Sequence, residues 1–237
     1  VADDEKNATV VELGAGLGAL TSLLASRASR VIAVERDRDL VPLLRESMKA
    51  FPEVEVVEDD AQSIDLAARF ANAGTPRVLC GNLPYQITGK LLGIATRNAT
   101  LFDRAIFMVQ KEVADRLRAS PSTKDYGALT VFAQAAFDVT LVRTVPPGAF
   151  FPPPDVTSAV IAMSTTRPPR ARETETFRAL VKGAFAQRRK TLRNAWRSLG
   201  ADKIERAAKS AGISLDARGE TLDVEAFAKM ASFLEQI

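Results

Sequence analysis

The chain has 237 residues, 46% of them hydrophobic and 26% charged, the proportions of a folded globular protein. It contains no histidine and a single cysteine, Cys80, which excludes Ser-His-Asp and Cys-His catalysis, ordinary metal sites of the zinc type and any intramolecular disulfide. The net charge of +3 is uneven: residues 1–165 carry 17 Lys/Arg against 20 Asp/Glu, residues 166–237 carry 15 against 9, and a basic C-terminal third suits a polyanion partner.

The start, Val1-Ala2-Asp3-Asp4-Glu5, is acidic and does not read as a signal peptide. It also lacks an initiator methionine, as a fragment does. No apolar run is long enough to span a bilayer, and the lone cysteine fits a reducing compartment, the cytoplasm. Thr9–Leu13 is a β-branched run that stops at glycines and predicts a buried strand. Leu17, Leu20, Leu23 and Leu24 predict a helix over 17–25. Arg30–Val34 predicts a second strand, Leu40–Met48 a helix, Val54–Val57 a third strand, Ile64–Ala71 a helix and Arg77–Cys80 a fourth strand. A helix at 89–96 and a strand at 105–109 follow. Strands and helices alternating in units of about 20–30 residues predict a doubly wound, mostly parallel, Rossmann-like α/β sheet.

Tyr126–Ala136 predicts a helix, and 139–144 and 156–164 late strands. The intervening Pro146-Pro147-Gly148-Ala149-Phe150-Phe151-Pro152-Pro153-Pro154 cannot be helical and reads as a stiff extended loop. Thr165–Arg170 is the best linker, so the expected division is a first domain over 1–166 and a small all-α domain over 167–237. In the latter, Phe177, Leu180, Val181, Ala184, Phe185, Leu192, Trp196 and Leu199 form one apolar stripe. Opposite it, Arg178, Lys182, Arg189, Arg193 and Arg197 recur at intervals of four or seven, flanked by Arg188 and Lys190, a row able to track phosphates. A solvated helix face is the plainer alternative. Shorter helices are predicted at 203–211 and 224–235.

Three strand ends carry the chemistry. Glu12-Leu13-Gly14-Ala15-Gly16-Leu17-Gly18 joins a strand to a helix, where glycine allows a sharp turn and close approach of a ligand. Glu35, 21 residues past Gly14, ends the next strand, where an acid can accept from both ribose hydroxyls; Asp37 and Asp39 fall in the following turn. The third glycine comes one position too early for a dinucleotide site, and the pattern looks like the first motif of S-adenosylmethionine-dependent methyltransferases. Asp59-Asp60-Ala61 ends the third strand. One aspartate can meet an adenine amino group there, and Asp60, beside the small Ala61, is the candidate; a helix N-cap is the alternative role.

Gly81-Asn82-Leu83-Pro84-Tyr85 follows the fourth strand. The exocyclic amine of adenine is a weak nucleophile because its lone pair is delocalised. Accepting both of its N–H hydrogens favours a pyramidal nitrogen. The Asn82 side-chain oxygen and a main-chain carbonyl suffice, and proline leaves its carbonyl free. Tyr85 offers a face on which an extruded base stacks. No general base is required, which suits a chain without histidine.

Together these residues resemble the ribosomal RNA adenine-N6,N6-dimethyltransferases of the KsgA type. The resemblance runs from Thr9 to the end of the chain. Beyond the strand-end motifs it includes Val109-Gln110-Lys111-Glu112-Val113, Tyr126-Gly127, the Val145-Pro-Pro-x-x-Phe150-x-Pro-Pro-Pro-x-Val-x-Ser158-Ala159-Val160 segment and Gln187-Arg-Arg-Lys-Thr-Leu-Arg-Asn194. It implies a class I methyltransferase fold with S-adenosyl-L-methionine as cofactor, contacted by Gly14, Gly16, Glu35, Asp60, Ala61 and Asn82. It implies a catalytic loop of Asn82, Leu83, Pro84 and Tyr85, with Phe150 against the target base. Arg188, Arg189, Lys190 and Arg193 are then the expected RNA contacts. The implied reaction dimethylates two adjacent adenosines in a hairpin loop near the 3′ end of small-subunit (16S) rRNA, on assembling 30S subunits; the residues themselves call for no metal or membrane and for nothing more than a monomer. The family's basic leader, with a Gln-Asn-Phe-Leu segment over the cofactor, has no counterpart before Thr9, which implies weaker cofactor binding. A large-subunit methyltransferase of the Erm type, and a non-catalytic assembly factor, are the alternatives; Leu83 and the intact Asn82–Tyr85 loop count against them.

Overall fold

The computed structural model describes residues 7–187 and 189–236. Seven strands form one sheet: β1 (Thr9–Leu13), β2 (Arg30–Glu35), β3 (Val54–Glu58), β4 (Arg77–Asn82), β5 (Arg104–Gln110), β6 (Phe137–Val145) and β7 (Ser158–Thr165), in the order β3-β2-β1-β4-β5-β7-β6. Strands β1 to β5 pair in parallel, and β7 runs antiparallel to β5. The order reverses between β1 and β4, so the loops at their carboxyl ends flank a crevice where ligands of such sheets sit. The β-branched runs are buried on both faces, as parallel strands with helices on either side require: Val10, Val31, Val78 and Cys80 pack with Leu24, while Val11, Leu13, Ile32, Val34 and Leu79 are also buried.

Helices α1 (Ala19–Ala25), α2 (Leu40–Ser47), α3 (Leu66–Phe70) and α4 (Thr88–Arg97) connect these strands. The helix expected over 17–25 spans Ala19–Ala25. Gly18 takes a left-handed φ of 89° and starts α1 two residues late, so Thr21, Leu24 and Ala25 turn inward while Leu17 and Leu23 are exposed. Leu20 and Leu24 line an apolar groove with Val78, Cys80, Ile106, Met108 and Val160. Helix α5 (Lys111–Leu117) is not among the predicted elements; α6 is Ala128–Ala136.

The chain forms two compact units, and the sequence boundary at 166/167 describes only part of the division. One unit holds the sheet, through Ala114 and again over Val139–Thr165. The other takes Asp115–Asp138 together with the C-terminal residues from Thr166. Tyr126, Val131 and Ala135 belong to the same apolar core as Phe177, Leu180, Trp196 and Phe227, and the Tyr126 hydroxyl donates to the Leu222 carbonyl at 2.8 Å.

In this helical unit, α7 (Glu175–Ala186), α8 (Leu192–Ala195), α9 (Ala201–Ala211) and α10 (Val224–Glu235) follow in turn. Thr174 caps α7 by accepting from the Phe177 amide, and Asp223 caps α10 by accepting from Ala226. The single stripe expected from Phe177 to Leu199 lies on two segments. On one continuous helix residues 180 and 196 would be roughly 24 Å apart, yet the Trp196 indole N–H donates to the Leu180 carbonyl at 2.8 Å. The chain stops being helical after Ala186 and folds back, and Gly183 leaves the space Trp196 occupies: a Cβ there would come within 3.2 Å of the indole. No described helix is long and apolar enough to cross a membrane.

Candidate active site

The β1–α1 loop is built from glycines for a conformational reason. Gly14, Gly16 and Gly18 all adopt positive φ, and a Cβ at Gly18 would fall 2.8 Å from a Leu44 methyl. The loop is tied to β2 by the Gly14 and Ala15 amides, which donate to the Val34 carbonyl at 2.9 and 3.1 Å, and by Glu35. This buried carboxylate accepts from the Gly16 amide through Oε2 and from the Arg36 and Asp37 amides through Oε1, each at 2.9 Å. Below the loop, Glu12 is 2% exposed and accepts from the Thr21 hydroxyl at 2.7 Å. Burial pushes its pKa up to about 7, with the Thr21 hydrogen bond opposing and the Glu35 carboxylate adding to the rise. Cys80, opposite Glu12 in the sheet, is buried and its thiol is raised far above the usual range by loss of solvent.

A cleft of about 380 Å³ opens at this edge. Gly14, Glu35, Asp60 and Ala61 line it, with Asp37, Leu40, Pro84, Ile87 and Leu91. Asp59 and Asp60 follow β3 and both reach the cleft. Asp59 is held by Arg69 at 3.1 Å, whereas Asp60 accepts from the Gln62 amide at 2.8 Å and its other oxygen stands 3.7 Å from Arg36. Asp65, not Asp60, caps α3. Gly16 and Asn82 are not among the lining residues: Gly16 acts on the cleft through Glu35, and Asn82 faces a second cleft.

That second cleft, about 340 Å³, is lined by Asn82, Leu83, Pro84, Tyr85, Phe150, Phe151, Pro152 and Pro154. Asn82 is exposed at the end of β4, and Leu83 is buried with its amide bonded to the Met108 carbonyl at 3.1 Å. The expectation that Pro84 offers a free carbonyl is corrected. That oxygen accepts from the Ile87 amide at 3.1 Å and the Thr88 hydroxyl at 2.9 Å, because the chain turns there into a short 3₁₀ segment. The Leu83 carbonyl is not an acceptor in this turn, whose bonds end on Pro84. Tyr85 is half-buried, and its hydroxyl lies 2.7 Å from that of the fully buried Ser158. Ser158 had no role assigned from the sequence. Gly81 had none either: a Cβ there would sit 2.4 Å from the Leu13 carbonyl oxygen. Both clefts share Pro84 as a wall.

The basic row of the helical unit is divided. Arg178 is paired with Glu173, is largely covered and lies over the Phe132 ring at 5.4 Å, so it is a structural residue. Arg189, Lys190, Arg193 and Arg197 are exposed beyond the break after α7, with Arg193 facing Glu205 at 3.4 Å and Asp216 at 3.5 Å. Arg188 lies outside the described residues. Among the described residues no cluster of metal-ligating side chains occurs.

A doubly wound sheet with a glycine loop, a buried acid ending the next strand and a second cleft at the neighbouring strand end is the arrangement of a class I methyltransferase. The chain belongs to the ribosomal RNA adenine dimethylase family, whose family model matches residues 2–236. It is 44% identical over 238 residues to the ribosomal RNA small subunit methyltransferase A of Geobacter metallireducens, covering 98% of this chain and 86% of that one. It is 45% identical to the protein of the same name from Anaeromyxobacter, over 93% of this chain and 81% of that one. Among solved structures, a dimethyladenosine transferase from Plasmodium falciparum shares the fold, with a TM-score of 0.78 and 24% identity over 97% of this chain and 90% of that one. The 23S rRNA methyltransferase ErmE aligns at 0.68 and 26% over 98% and 93%. The chain is thus an rRNA adenine dimethyltransferase, and its methyl donor is S-adenosylmethionine. The first cleft fits that group: an anionic acceptor stands beside apolar side chains, and a Cβ at Gly14 would meet no protein atom within 4 Å.

Proposed function

We propose that this chain dimethylates N6 of two adjacent adenosines in a hairpin loop near the 3′ end of small-subunit rRNA, acting in the cytoplasm as a monomer on assembling subunits. The observation that carries the arrangement is Pro84, which walls both the Glu35 cleft and the Asn82 cleft. Donor and acceptor are then separated by the thickness of one loop, and position supplies the catalysis. Preference for the small subunit is supported by the names of relatives at 44–45% identity, against 26% for the large-subunit enzyme.

In this reading Glu35 receives the ribose hydroxyls of the cofactor, Asp60 its adenine amino group beside Ala61, and Gly14 admits it close to the main chain. When bound, S-adenosylmethionine supplies a methyl group on a positively charged sulfur, which needs no further activation. The Asn82 side-chain oxygen and the Leu83 carbonyl accept the two N–H hydrogens of the target amine. Tyr85 and Phe150 hold the base between aromatic faces. The proton shed after alkylation leaves to water, since none of the residues lining the acceptor cleft is a base. In the helical unit Arg189, Lys190 and Arg193 serve RNA phosphates, with Arg188 beside them in sequence.

The test is labelled methyl transfer to small subunits lacking the modification, followed by nucleoside analysis. Dimethyladenosine from the wild-type chain, and none from Asn82→Ala despite intact RNA binding, is the expected result. Transfer to large subunits alone would establish the Erm-type reaction in its place.

A further inference from the structure

We propose that Phe151, a fully exposed residue bordering the acceptor cleft, is a stacking platform for the RNA base adjoining the extruded adenosine. The inference rests on the acceptor reading of the Asn82 cleft given above. Phe151 is completely exposed, at 100% of its reference surface. A single exposed hydrophobe is ordinary; its placement and its mounting single out this one.

The placement is on the rim of the acceptor cleft, beside Asn82, Tyr85 and Phe150. Phe150 is extended (φ −120°, ψ 156°), and successive side chains of extended backbone point to opposite sides. Phe150 is half-buried and Phe151 projects into solvent. The mounting is a short segment between Pro146-Pro147 and Pro152-Pro153-Pro154. It is braced by amide bonds from Ala149 to the Pro146 carbonyl and from Phe150 to the Pro147 carbonyl, both 3.1 Å. At its far end the Thr157 carbonyl accepts from the Lys111 amide at 2.9 Å. Proline fixes φ and lowers the entropy that ordering would cost, so the ring is presented ready for contact.

The partner chemistry follows from the reaction. An adenosine swung out of its strand leaves its neighbour with one face unstacked. Single-stranded loop bases are bound by stacking on aromatic side chains, largely without regard to sequence. The residues lining this cleft carry no charge that would repel or misdirect a base.

The experiment uses the full chain with its cofactor and a hairpin RNA bearing two adjacent adenosines in its loop, with 2-aminopurine placed in turn on either side of the pair. Phe151→Ala, Phe151→Leu and Phe151→Trp alter a fully exposed side chain and leave folding intact. Wild type and F151W should quench the probe at one flanking position. F151A and F151L should fail to quench and should raise KM for RNA by roughly 5- to 100-fold, with cofactor affinity unchanged. Wild-type behaviour of F151A or F151L, or quenching that survives loss of the ring, overturns the proposal. A defect seen on whole subunits but not on protein-free RNA also overturns it, because the ring would then meet a protein. Probe binding is read without turnover, so wild-type binding and quenching with no methyl transfer would count against the acceptor reading alone.

Discussion

Glu35→Gln removes one negative charge and changes almost nothing in volume, yet the hydrogen bonds around this side chain make it far from conservative. Oε1 accepts from two amides and Oε2 from a third, all at 2.9 Å. A carboxylate serves all three because both oxygens are acceptors. A glutamine presents one oxygen and one NH₂. With the nitrogen toward Gly16, one N–H faces a donor; flipped, two do. An N–H left unpaired costs about 1–3 kcal/mol, and since these amides are only partly buried the lower end, about 1 kcal/mol, is the expected loss from the better rotamer. The Gly16 amide then loses its acceptor, and the loop keeps only the bonds from the Gly14 and Ala15 amides to the Val34 carbonyl of β2, at 2.9 and 3.1 Å. In the proposed cofactor site the acceptor for the ribose hydroxyls is weakened as well, a charge-assisted interaction of about 1.5–3 kcal/mol. Calorimetric titration with S-adenosylmethionine should show affinity lower by about 10- to 100-fold, and the ligand-free melting temperature should fall by roughly 2–4 °C. Wild-type affinity would place the ribose elsewhere; lowered affinity with an unchanged melt would show that the tether to Gly16 contributes nothing to the fold.

Glu12 gives a pH signature. Its carboxyl keeps its proton to about pH 7 in the folded chain against a usual 4.5, so the native state binds more protons than the unfolded state between those values. The stability it contributes is complete below about pH 4.5 and is lost as pH rises through 7, by about 3 kcal/mol at most. Denaturant titrations from pH 5 to 8 should show that slope in wild type and a flatter profile in Glu12→Gln. Gly81→Ala should destabilise by about 1–3 kcal/mol in urea unfolding, since its Cβ would press on the Leu13 carbonyl. Arg178→Ala should lower stability by about 1 kcal/mol through its cation–π contact and covered ion pair, and leave the salt dependence of RNA binding alone. The double reversal R189E/K190E should instead flatten the salt slope by roughly 1–2 without a change in melting temperature.

The strands were legible because a buried parallel strand is a short β-branched run with turn residues at its end, and Thr9–Leu13 and Arg30–Glu35 are just that. The helix expected at 224–235 is α10, whose buried Val224, Phe227, Met230 and Ala231 repeat at helical spacing behind the Asp223 cap. The strand-end motifs led to residues that the fold brings together: Gly14, Glu35, Asp60 and Ala61 in one cleft, and Asn82–Tyr85 with Phe150 in the other, across almost seventy residues of chain. What escaped depends on tertiary contact. The return of Trp196 onto Leu180 breaks a helix that periodicity alone would continue. The membership of 115–138 in the helical unit follows from where Tyr126 is buried. The occupied Pro84 carbonyl depends on a turn three residues later, and the Tyr85–Ser158 bond joins positions that no local pattern connects. Gly81 and Gly183 were the available signals, each standing where a neighbour needs its space.

The closeness of Gly81 to Leu13 has an evolutionary side. With no room for even a methyl group between the ends of β1 and β4, any side chain at position 81 must spread the two strand ends from which the glycine loop and the 82–85 tip start. Drift at position 81 is thereby closed to every residue but glycine unless the Leu13 carbonyl moves, whereas Asn82, Pro84 and the proline-stiffened arm at 151–153 are exposed and free of that constraint.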